Sequence, residues 1–222
     1  MARKPARDLE EAIVEAAMAL FAERGYAGTR LIDIAERAGC DLGVLRARLD
    51  DKLDILPMFL RRIDGAVLAE DAGFGPEESV RDRLFDLLIR RFDALKPYRP
   101  ALQSVLRDLR GDLPALLSLA PKGVGALGWY LEAAGTSTDG LAGMARIKGL
   151  SLVWLHCLRI WFQDDSEDLA RTMSALDKAL IQAERAAGWM QKGARRRPDP
   201  TGTDAGFTEP TNGDAASASP DP

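Results

Sequence analysis

Residues 33–56 read DIAERAGCDLGVLRARLDDKLDIL, and this stretch decides how the first part of the chain folds. Its apolar residues recur at helical spacing on both sides of Gly39, and glycine adopts the left-handed backbone of a tight turn without steric cost. The pattern therefore predicts two short helices joined by a turn, with a further helix directly behind them. The predicted helices cover residues 30–38, 42–49 and 52–71, capped by Thr29, by Asp41 and by either Asp50 or Asp51.

The second of these helices carries two arginines, Arg46 and Arg48, on its exposed side. Two helices joined by a tight turn can place the second helix in the major groove of DNA while the first braces it. An arginine there can hold phosphate or read guanine with two hydrogen bonds. Ahead of the first helix, Arg3, Lys4 and Arg7 either add phosphate contacts or form a solvated terminus. The candidate DNA-contacting residues are Thr29, Arg30, Leu42, Gly43, Val44, Arg46, Ala47, Arg48 and Lys52.

Helical periodicity continues along most of the remaining chain, and no segment shows the alternation typical of a strand. We therefore predict an all-α protein of about nine helices. Pro57 predicts a bend in the fourth helix unless that helix begins later, and three internal glycines make the continuity of the seventh doubtful. The later helices are predicted at residues 77–95, 101–109, 113–134, 140–162 and 167–187, the last behind Ser166 as its cap.

The charge pattern does not single out any part of the chain as a strongly basic block. Residues 1–64 carry 11 basic and 12 acidic groups, and the whole chain has a net charge of −4. Any contact with nucleic acid must therefore come from the local placement of arginine and lysine. The two cysteines, Cys40 and Cys157, are far apart and predict a reduced, cytoplasmic protein without a disulfide framework.

Several function classes lack a signal in this sequence. His156 is the one histidine, and no nucleophile elbow or metal-ligand spacing accompanies it, so we expect neither an enzyme nor a metal or cofactor site. The longest apolar run, at residues 149–162, is shorter than a bilayer span and is interrupted by Ser151, His156 and Arg159. We expect no membrane span.

The first 60 or so residues resemble the DNA-binding domain of the TetR family of bacterial transcriptional regulators. Family members run a Phe-x-x-x-Gly-Tyr junction, present at residues 21–26, into a Thr followed by Asp-Ile-Ala, then an Ala-Gly turn and a short recognition helix. The chain matches this pattern at Thr29, Asp33, Ile34, Ala35, Ala38, Gly39, Gly43, Leu45, Lys52, Ile55 and Leu56.

The chain also departs from the family pattern, mostly in the second helix. Cys40 and Leu49 replace a valine and a phenylalanine, which are changes of volume that a core tolerates. Asp41 replaces a serine cap with an equally good one that is less favourable beside DNA phosphate. Arg46 and Arg48 replace neutral phosphate-contacting residues with cations, which indicates altered contacts rather than lost ones.

The resemblance implies a homodimeric repressor that binds a palindromic double-stranded DNA operator and is released by a small apolar effector. Residues 1–50 would bind DNA, residues 51–72 would form a linking helix, and residues 75–190 would form a helical regulatory and dimerisation domain. Residues 193–222 hold five of the 12 prolines and one large apolar residue, so we predict a disordered tail.

Two sets of residues are candidates for the ligand pocket and the subunit interface. Aromatic and leucine side chains at helical spacing could line an apolar pocket, and a narrow apolar stripe on the last helix is suited to helix–helix packing. The pocket candidates are Phe85, Leu88, Phe92, Tyr98, Leu102, Leu127, Tyr130 and Trp154, and the interface candidates are Leu155, Leu158, Trp161, Leu169, Met173, Leu176 and Leu180.

A second resemblance supports a different function. Residues 91–109 and 149–180 are similar to the C-terminal part of ubiquinone-biosynthesis accessory proteins, which share the TetR-like fold and hold isoprenoid lipids. On that reading the chain binds an isoprenoid or quinone lipid and its helix–turn–helix is inactive.

Overall fold

The computed structural model describes residues 6–70, 73–75 and 77–194, and every regular element in this part of the chain is helical. The all-α prediction is therefore confirmed. The helices are α1 (Ala6–Arg24), α2 (Leu31–Ala38), α3 (Leu42–Arg46), α4 (Ile55–Ala69), α5 (Val80–Leu95), α6 (Arg99–Leu109), α7 (Leu113–Ala133), α8 (Gly140–Trp161) and α9 (Ala170–Ala194), with 3-10 turns at Lys52–Asp54 and Lys96–Tyr98.

The first three helices form a small unit that packs on α4 and α6, while α8 and α9 pack against each other at the far end. One apolar core runs through both halves, from Phe21 and Ile34 at the N-terminal end to Trp161 and Leu176. Helix α4 contacts α1, α5 and α7, so it joins the two halves.

The start of α2 differs from the prediction. The helix begins at Leu31, and its cap is Arg30, whose backbone N–H donates to the Asp33 side chain at 3.0 Å. Thr29 is buried instead, because its hydroxyl donates a 2.7 Å hydrogen bond to the carbonyl of Gly25. The predicted Thr29 cap is therefore wrong.

The bend predicted at Pro57 is not needed, because α4 begins at Ile55. Pro57 is then the third helical residue, where a missing N–H leaves no helical hydrogen bond unmade. Asp51 caps the 3-10 turn ahead of α4 by accepting from the N–H groups of Leu53 and Asp54. This later start of the fourth helix is the alternative to a bend that the sequence allowed.

Other helices also differ from their predicted bounds. Helix α3 ends at Arg46, three residues earlier than predicted. Helix α5 begins at Val80, and Ser79 caps it by accepting a hydrogen bond from the N–H of Asp82. Helix α7 is continuous from Leu113 to Ala133 despite its glycines. Helix α9 begins at Ala170, three residues late, because Leu169 has a positive φ of 55°. Of the predicted tail, residues 195–222 lie outside the described residues.

Candidate DNA interface and ligand cavity

The turn between α2 and α3 is built as the sequence predicts. Gly39 has a φ of 71°, and the N–H of Cys40 donates back to the carbonyl of Ala35 at 3.0 Å. Asp41 caps α3 by accepting a hydrogen bond of 2.8 Å from the N–H of Val44. Both features are local, and the two helices are locked together by Ile34, Ala35, Ala38, Leu45 and Leu49, all of which are buried.

The outward side of α3 is an exposed surface of mixed character. Leu42 keeps 46% of its surface exposed, which is unusual for a leucine beside a well-packed core. Val44 is half-buried, and the remaining candidates Gly43, Ala47 and Arg48 are exposed. This short helix therefore offers backbone, apolar and cationic groups to a partner.

Two other arginines of the candidate set are exposed but already paired with carboxylates. Arg46 Nη1 lies 2.8 Å from Asp50 Oδ1 and donates to the carbonyl of Leu49 at 3.0 Å. Arg30 Nη2 lies 2.8 Å from Asp33 Oδ1, and this guanidinium lowers the pKa of Asp33 to about 2. Because exposed ion pairs contribute little free energy, a phosphate can compete for either arginine.

Lys52 has a different position from the other candidates. Its ammonium is half-buried, donates to the carbonyls of Tyr26 and Thr29 at 2.5 and 2.7 Å, and lies 4.1 Å from the centroid of the Tyr26 ring. Burial lowers the pKa of Lys52 and raises that of Tyr26 to about 12. The side chains of Thr29 and Lys52 therefore hold the α1–α2 turn inside the domain. Arg3 and Lys4 lie outside the described residues.

Helix α6 is hydrogen-bonded to that same turn. The Oγ atom of Ser104 accepts from the N–H of Tyr26 at 2.8 Å, and Asp108 Oδ2 accepts from the N–H of Ala27 at 2.7 Å. Gly25, at the end of α1, has a φ of 83°, and a Cβ there would lie 3.5 Å from Ser104 Oγ. The turn that precedes α2 is thus fixed to α6 through backbone groups.

A cavity of about 1520 Å³ extends along α4 and is walled by α5, α6, α7 and α8. Its walls are mostly apolar, and its outer end reaches Arg46 at the end of α3 and Arg48 just after that helix. Cavities for small molecules are typically about 300–1,000 Å³. This one therefore has room for a long or branched apolar molecule.

One polar cluster interrupts the apolar wall. Asp64 on α4 and Arg91 on α5 are both buried, with Asp64 Oδ1 2.8 Å from Arg91 Nε and Oδ2 3.1 Å from Nη2. The hydroxyl of the buried Tyr130 donates to Asp64 Oδ1 at 2.8 Å. Burial raises the pKa of Asp64 against the opposing effect of the Arg91 charge, and burial also raises the pKa of Tyr130.

The structure brings only part of the predicted pocket set to the cavity. Leu102, Leu127 and Trp154 line it. Leu88, Phe92 and Tyr130 are completely buried in the core, and Phe85 and Tyr98 pack against that core rather than lining this cavity. The sequence prediction missed Asp64, Arg91, Leu95, Val105, Leu109 and Ser151.

A signal for the missed ion pair was present in the sequence. Arg91 stands three residues after Leu88 and four before Leu95, which puts it on the apolar face of α5. Asp64 stands four residues after Leu60 and three before Val67, which puts it on the apolar face of α4. A charged residue at the apolar position of each of two helices indicates a buried pair.

Most residues of the predicted interface stripe pack within the chain itself. Trp161, Leu169, Leu176 and Leu180 are at most 4% exposed within a single chain, because α9 packs on α8 and α5 of that chain. Leu158 is half-buried and lines the cavity. Leu155 and Met173 remain exposed, at 58% and 36%.

A different apolar stripe is exposed, on the outer face of α8. Leu141, Met144, Leu152 and Leu155 follow one another at helical spacing and are 50–81% exposed. Within the described residues α8 is also the one helix long and apolar enough to cross a membrane by length and composition, although that test is passed by core helices of soluble proteins too. Lys148 and Arg159 interrupt the stripe.

The remaining titratable residues do not form a second site. No group of histidine, cysteine and carboxylate side chains in the part of the chain that the structure describes could hold a metal ion. Cys157 is buried, which raises the pKa of its thiol to about 11, while the neighbouring His156 is exposed on a different side of α8.

A comparison with known protein families finds a match at the helix–turn–helix. The family described as bacterial regulatory proteins, tetR family, matches residues 13–50, the segment that contains α2, the glycine turn and α3. This segment is therefore similar to the tetR family. No curated protein sequence matches the chain.

Solved structures of TetR regulators share the fold of most of the chain. A TetR transcriptional regulator from Nitrosomonas europaea is 24% identical to this chain, with a TM-score of 0.64. The match covers 79% of this chain and 98% of that regulator. One from Rhodococcus sp. RHA1 is 19% identical with a TM-score of 0.61, and the match covers 80% of this chain and 96% of that regulator. One from Streptomyces coelicolor is 16% identical with a TM-score of 0.56, and the match covers 86% of this chain and 87% of that regulator. The chain is therefore similar to the tetR family at its helix–turn–helix and shares the fold of these regulators.

Proposed function

We propose that this chain is a repressor that binds a palindromic operator as a homodimer and is released when a small apolar ligand fills the cavity. One observation carries the proposal: helix α6 belongs to both sites. Its Ser104 and Asp108 side chains accept hydrogen bonds from the turn ahead of α2, while Leu102, Val105 and Leu109 of the same helix line the cavity.

The DNA-binding half rests on the exposed surface of α3 and the arginines around it. In this proposal residues 1–50 bind DNA, and residues 51–72 form the helix that links them to the rest of the chain. Residues 75–190 bind the ligand and form the contact between the two subunits. Two copies of α3 would enter successive major grooves about 34–36 Å apart, with Arg46 and Arg48 exchanging their present contacts for phosphate or base edges. Thr29 and Lys52 would position the turn rather than touch DNA.

Release of the operator follows from the packing of α4 and α6 around the cavity. A ligand that occupies the cavity pushes against Leu102, Val105 and Leu109, and α6 carries the α1–α2 turn with it through Ser104 and Asp108. A ligand shifts the equilibrium only as far as it prefers one arrangement over the other. Rotation of the two α3 helices away from their groove spacing would then release the DNA.

The homodimer rests on the exposed stripe of α8. Leu141, Met144, Leu152 and Leu155 form an exposed apolar stripe that Lys148 interrupts, and exposed apolar surface of this kind marks sites of association. Two copies of one helix face related by a two-fold axis bury the same residues on both sides. This arrangement places α8, rather than the buried stripe of α9, at the centre of the subunit contact.

A gel-shift titration against DNA from upstream of the chain's own gene tests the repressor proposal. We expect specific binding that weakens as salt rises and is lost in the Arg46→Ala/Arg48→Ala double variant. The Arg110→Ala variant, which removes an exposed arginine just after α6, is the matched control. Absence of specific binding at low salt would rule the repressor out.

The size of the cavity supports one rival function, an accessory protein that holds an isoprenoid or quinone lipid and does not bind DNA. Mass spectrometry of lipids that co-purify under native conditions separates the two. An isoprenoid quinone intermediate bound to protein that shows no affinity for DNA would establish the rival. A protein that binds operator and carries no such lipid supports the repressor.

A further inference from the structure

The guanidinium of Arg91 is an unusual group to find in the wall of an apolar cavity. The side chain is 2% exposed, and its Nη1 atom is buried without a hydrogen-bond partner among the described residues. Nη2 donates to Asp64 Oδ2, and Nε lies 2.8 Å from Oδ1 without the alignment of a hydrogen bond. Two N–H-bearing atoms of a buried cation thus lack a hydrogen bond within the described part of the chain: Nε, which still contacts the Asp64 carboxylate, and Nη1, which contacts no carboxylate.

A buried charged donor without an acceptor is rare, because its lost hydration is not replaced. Arg91 is also held in place: its Cζ lies 4.3 Å from the centroid of the Trp154 ring, which stacks in turn on Phe92 at 4.4 Å. Arg91, Asp64 and Trp154 all line the cavity. The wall of the cavity therefore contains a buried cation with an unsatisfied donor, and a ligand oxygen is the kind of group that satisfies it.

The charge balance of the cluster limits which oxygen can bind there. Asp64 already neutralises Arg91, and Tyr130 completes the cluster by donating to Asp64. A carboxylate would add an unpaired negative charge close to Asp64 in surroundings of low polarity, which is strongly unfavourable. A neutral carbonyl oxygen satisfies Nη1 and adds no net charge.

We propose that Arg91 Nη1 anchors a neutral carbonyl oxygen, such as that of a ketone or ester, on a ligand whose remaining surface is apolar. The apolar part lies against Leu102, Val105, Leu109 and Leu127. The inference deepens the proposed function, since it takes the cavity as the ligand site and names the chemical class of its occupant.

Three probes of nearly the same shape test the anchor by isothermal titration calorimetry: benzophenone, diphenylmethane and diphenylacetate. They differ in carrying a neutral carbonyl, no oxygen and a carboxylate. We expect benzophenone to bind about ten-fold tighter than diphenylmethane, which is the effect of roughly one charge-assisted hydrogen bond. Diphenylacetate should bind more weakly than benzophenone. Near-ultraviolet irradiation of bound benzophenone should cross-link it to peptides of the cavity wall.

The preference for the ketone should disappear in the Asp64→Asn/Arg91→Met double variant. This pair of changes removes both charges together and leaves an amide oxygen to accept from Tyr130. Arg91→Lys is the second variant, because it keeps the charge beside Asp64 and removes Nη1. Arg90→Met is the matched control, since Arg90 pairs with Asp86 and does not line the cavity.

Equal binding of benzophenone and diphenylmethane would overturn the proposal, because Nη1 would then be satisfied by water alone. Tightest binding of diphenylacetate, or a ketone preference that survives in both Arg91 variants, would overturn it as well. The assay contains no DNA, so its failure is separate from failure of the repressor. A ketone that binds as expected but leaves the gel shift unchanged contradicts the release mechanism and leaves the anchor intact.

Discussion

The backbone N–H of Tyr26 donates a 2.8 Å hydrogen bond to Ser104, a residue 78 positions further along the chain. The bond ties the turn in front of the helix–turn–helix to α6, and Asp108 repeats the connection one helical turn later by accepting from Ala27. Because these bonds go to backbone N–H groups, they fix the path of the chain rather than one side chain.

Replacing Ser104 by alanine leaves the partly buried Tyr26 N–H without its acceptor. We expect Ser104→Ala to lower the free energy of unfolding by about 1–2 kcal/mol and to weaken operator binding several-fold. Urea unfolding and gel shifts measure the two effects. Arg107→Ala, an exposed change on the same helix, should alter neither, and an unchanged Ser104→Ala protein would show that the bond contributes nothing.

Asp41 has two effects that can be separated by substitution. Its carboxylate caps α3, yet the same charge would lie near DNA phosphate in the proposed complex. Asp41→Ser keeps a capping oxygen and should bind operator several-fold tighter at low salt, with stability changed by less than about 0.5 kcal/mol. Asp41→Ala should cost about 1 kcal/mol. If the serine variant binds no tighter than wild type, Asp41 does not face phosphate.

Lys52 is expected to act through the fold. Lys52→Met removes the donor to the carbonyls of Tyr26 and Thr29, and we expect the free energy of unfolding to fall by about 1–3 kcal/mol. The slope of log K against log salt should stay as in wild type. A lysine that contacts phosphate would behave in the opposite way, with stability preserved and the slope reduced by about 0.9.

The exposed stripe on α8 predicts the behaviour of the protein in solution. Leu152→Asp places a charge at the centre of this stripe and should convert a dimer into monomers, as measured by light scattering coupled to size-exclusion chromatography. Ala142→Asp changes an exposed position of the same helix outside the stripe and serves as the control. A Leu152→Asp protein that is still dimeric would place the interface elsewhere.

Asp164 gives the connection between α8 and α9 a dependence on pH. Burial acts to raise the pKa of this carboxyl, but hydrogen bonds from Ser166 and from both the N–H and the hydroxyl of Thr172 outweigh it and bring the pKa to about 2. Because the folded-state pKa lies below the unfolded value of about 3.9, the carboxylate stabilises the fold above about pH 4. That contribution is lost as the pH falls towards 2.

Asp164→Asn should therefore unfold about 2 kcal/mol more easily than wild type at pH 7, with the difference shrinking below about pH 4. Urea unfolding at a series of pH values measures this. The control is Asp165→Asn, at an exposed neighbour. A difference that does not change with pH would show that packing, rather than the charge of Asp164, is responsible.

The helix–turn–helix was predictable because the residues that shape it act locally. Gly39 and Asp41 each determine one turn of backbone, and the apolar spacing of Ile34, Ala38 and Leu45 determines which sides pack. Helix boundaries were less predictable, since Thr29 has an alternative acceptor in the carbonyl of Gly25. Such a choice depends on three-dimensional neighbours rather than on propensity.

The cavity and the interface could be predicted only in part. An apolar stripe such as Leu169, Leu176 and Leu180 shows that a face is buried, but not whether its partner belongs to the same chain. The internal glycines of α7 lower its intrinsic propensity, and packing on α4 and α8 compensates. Periodicity places Asp64 and Arg91 each on the apolar face of its helix, but it does not show that these residues, 27 positions apart, contact each other.

In the proposed repressor, α6 both lines the cavity and holds the α1–α2 turn. These two roles have a practical consequence for anyone who wishes to build a biosensor from this scaffold. Changing Leu102, Val105 or Leu109 to accept a new inducer would also disturb the helix that carries Ser104 and Asp108, so inducer range and background expression would change together. Ser151, Trp154 and Leu158 line the same cavity from α8 and do not contact that turn. A mutant library confined to α8 is therefore the better starting point for selecting new inducers.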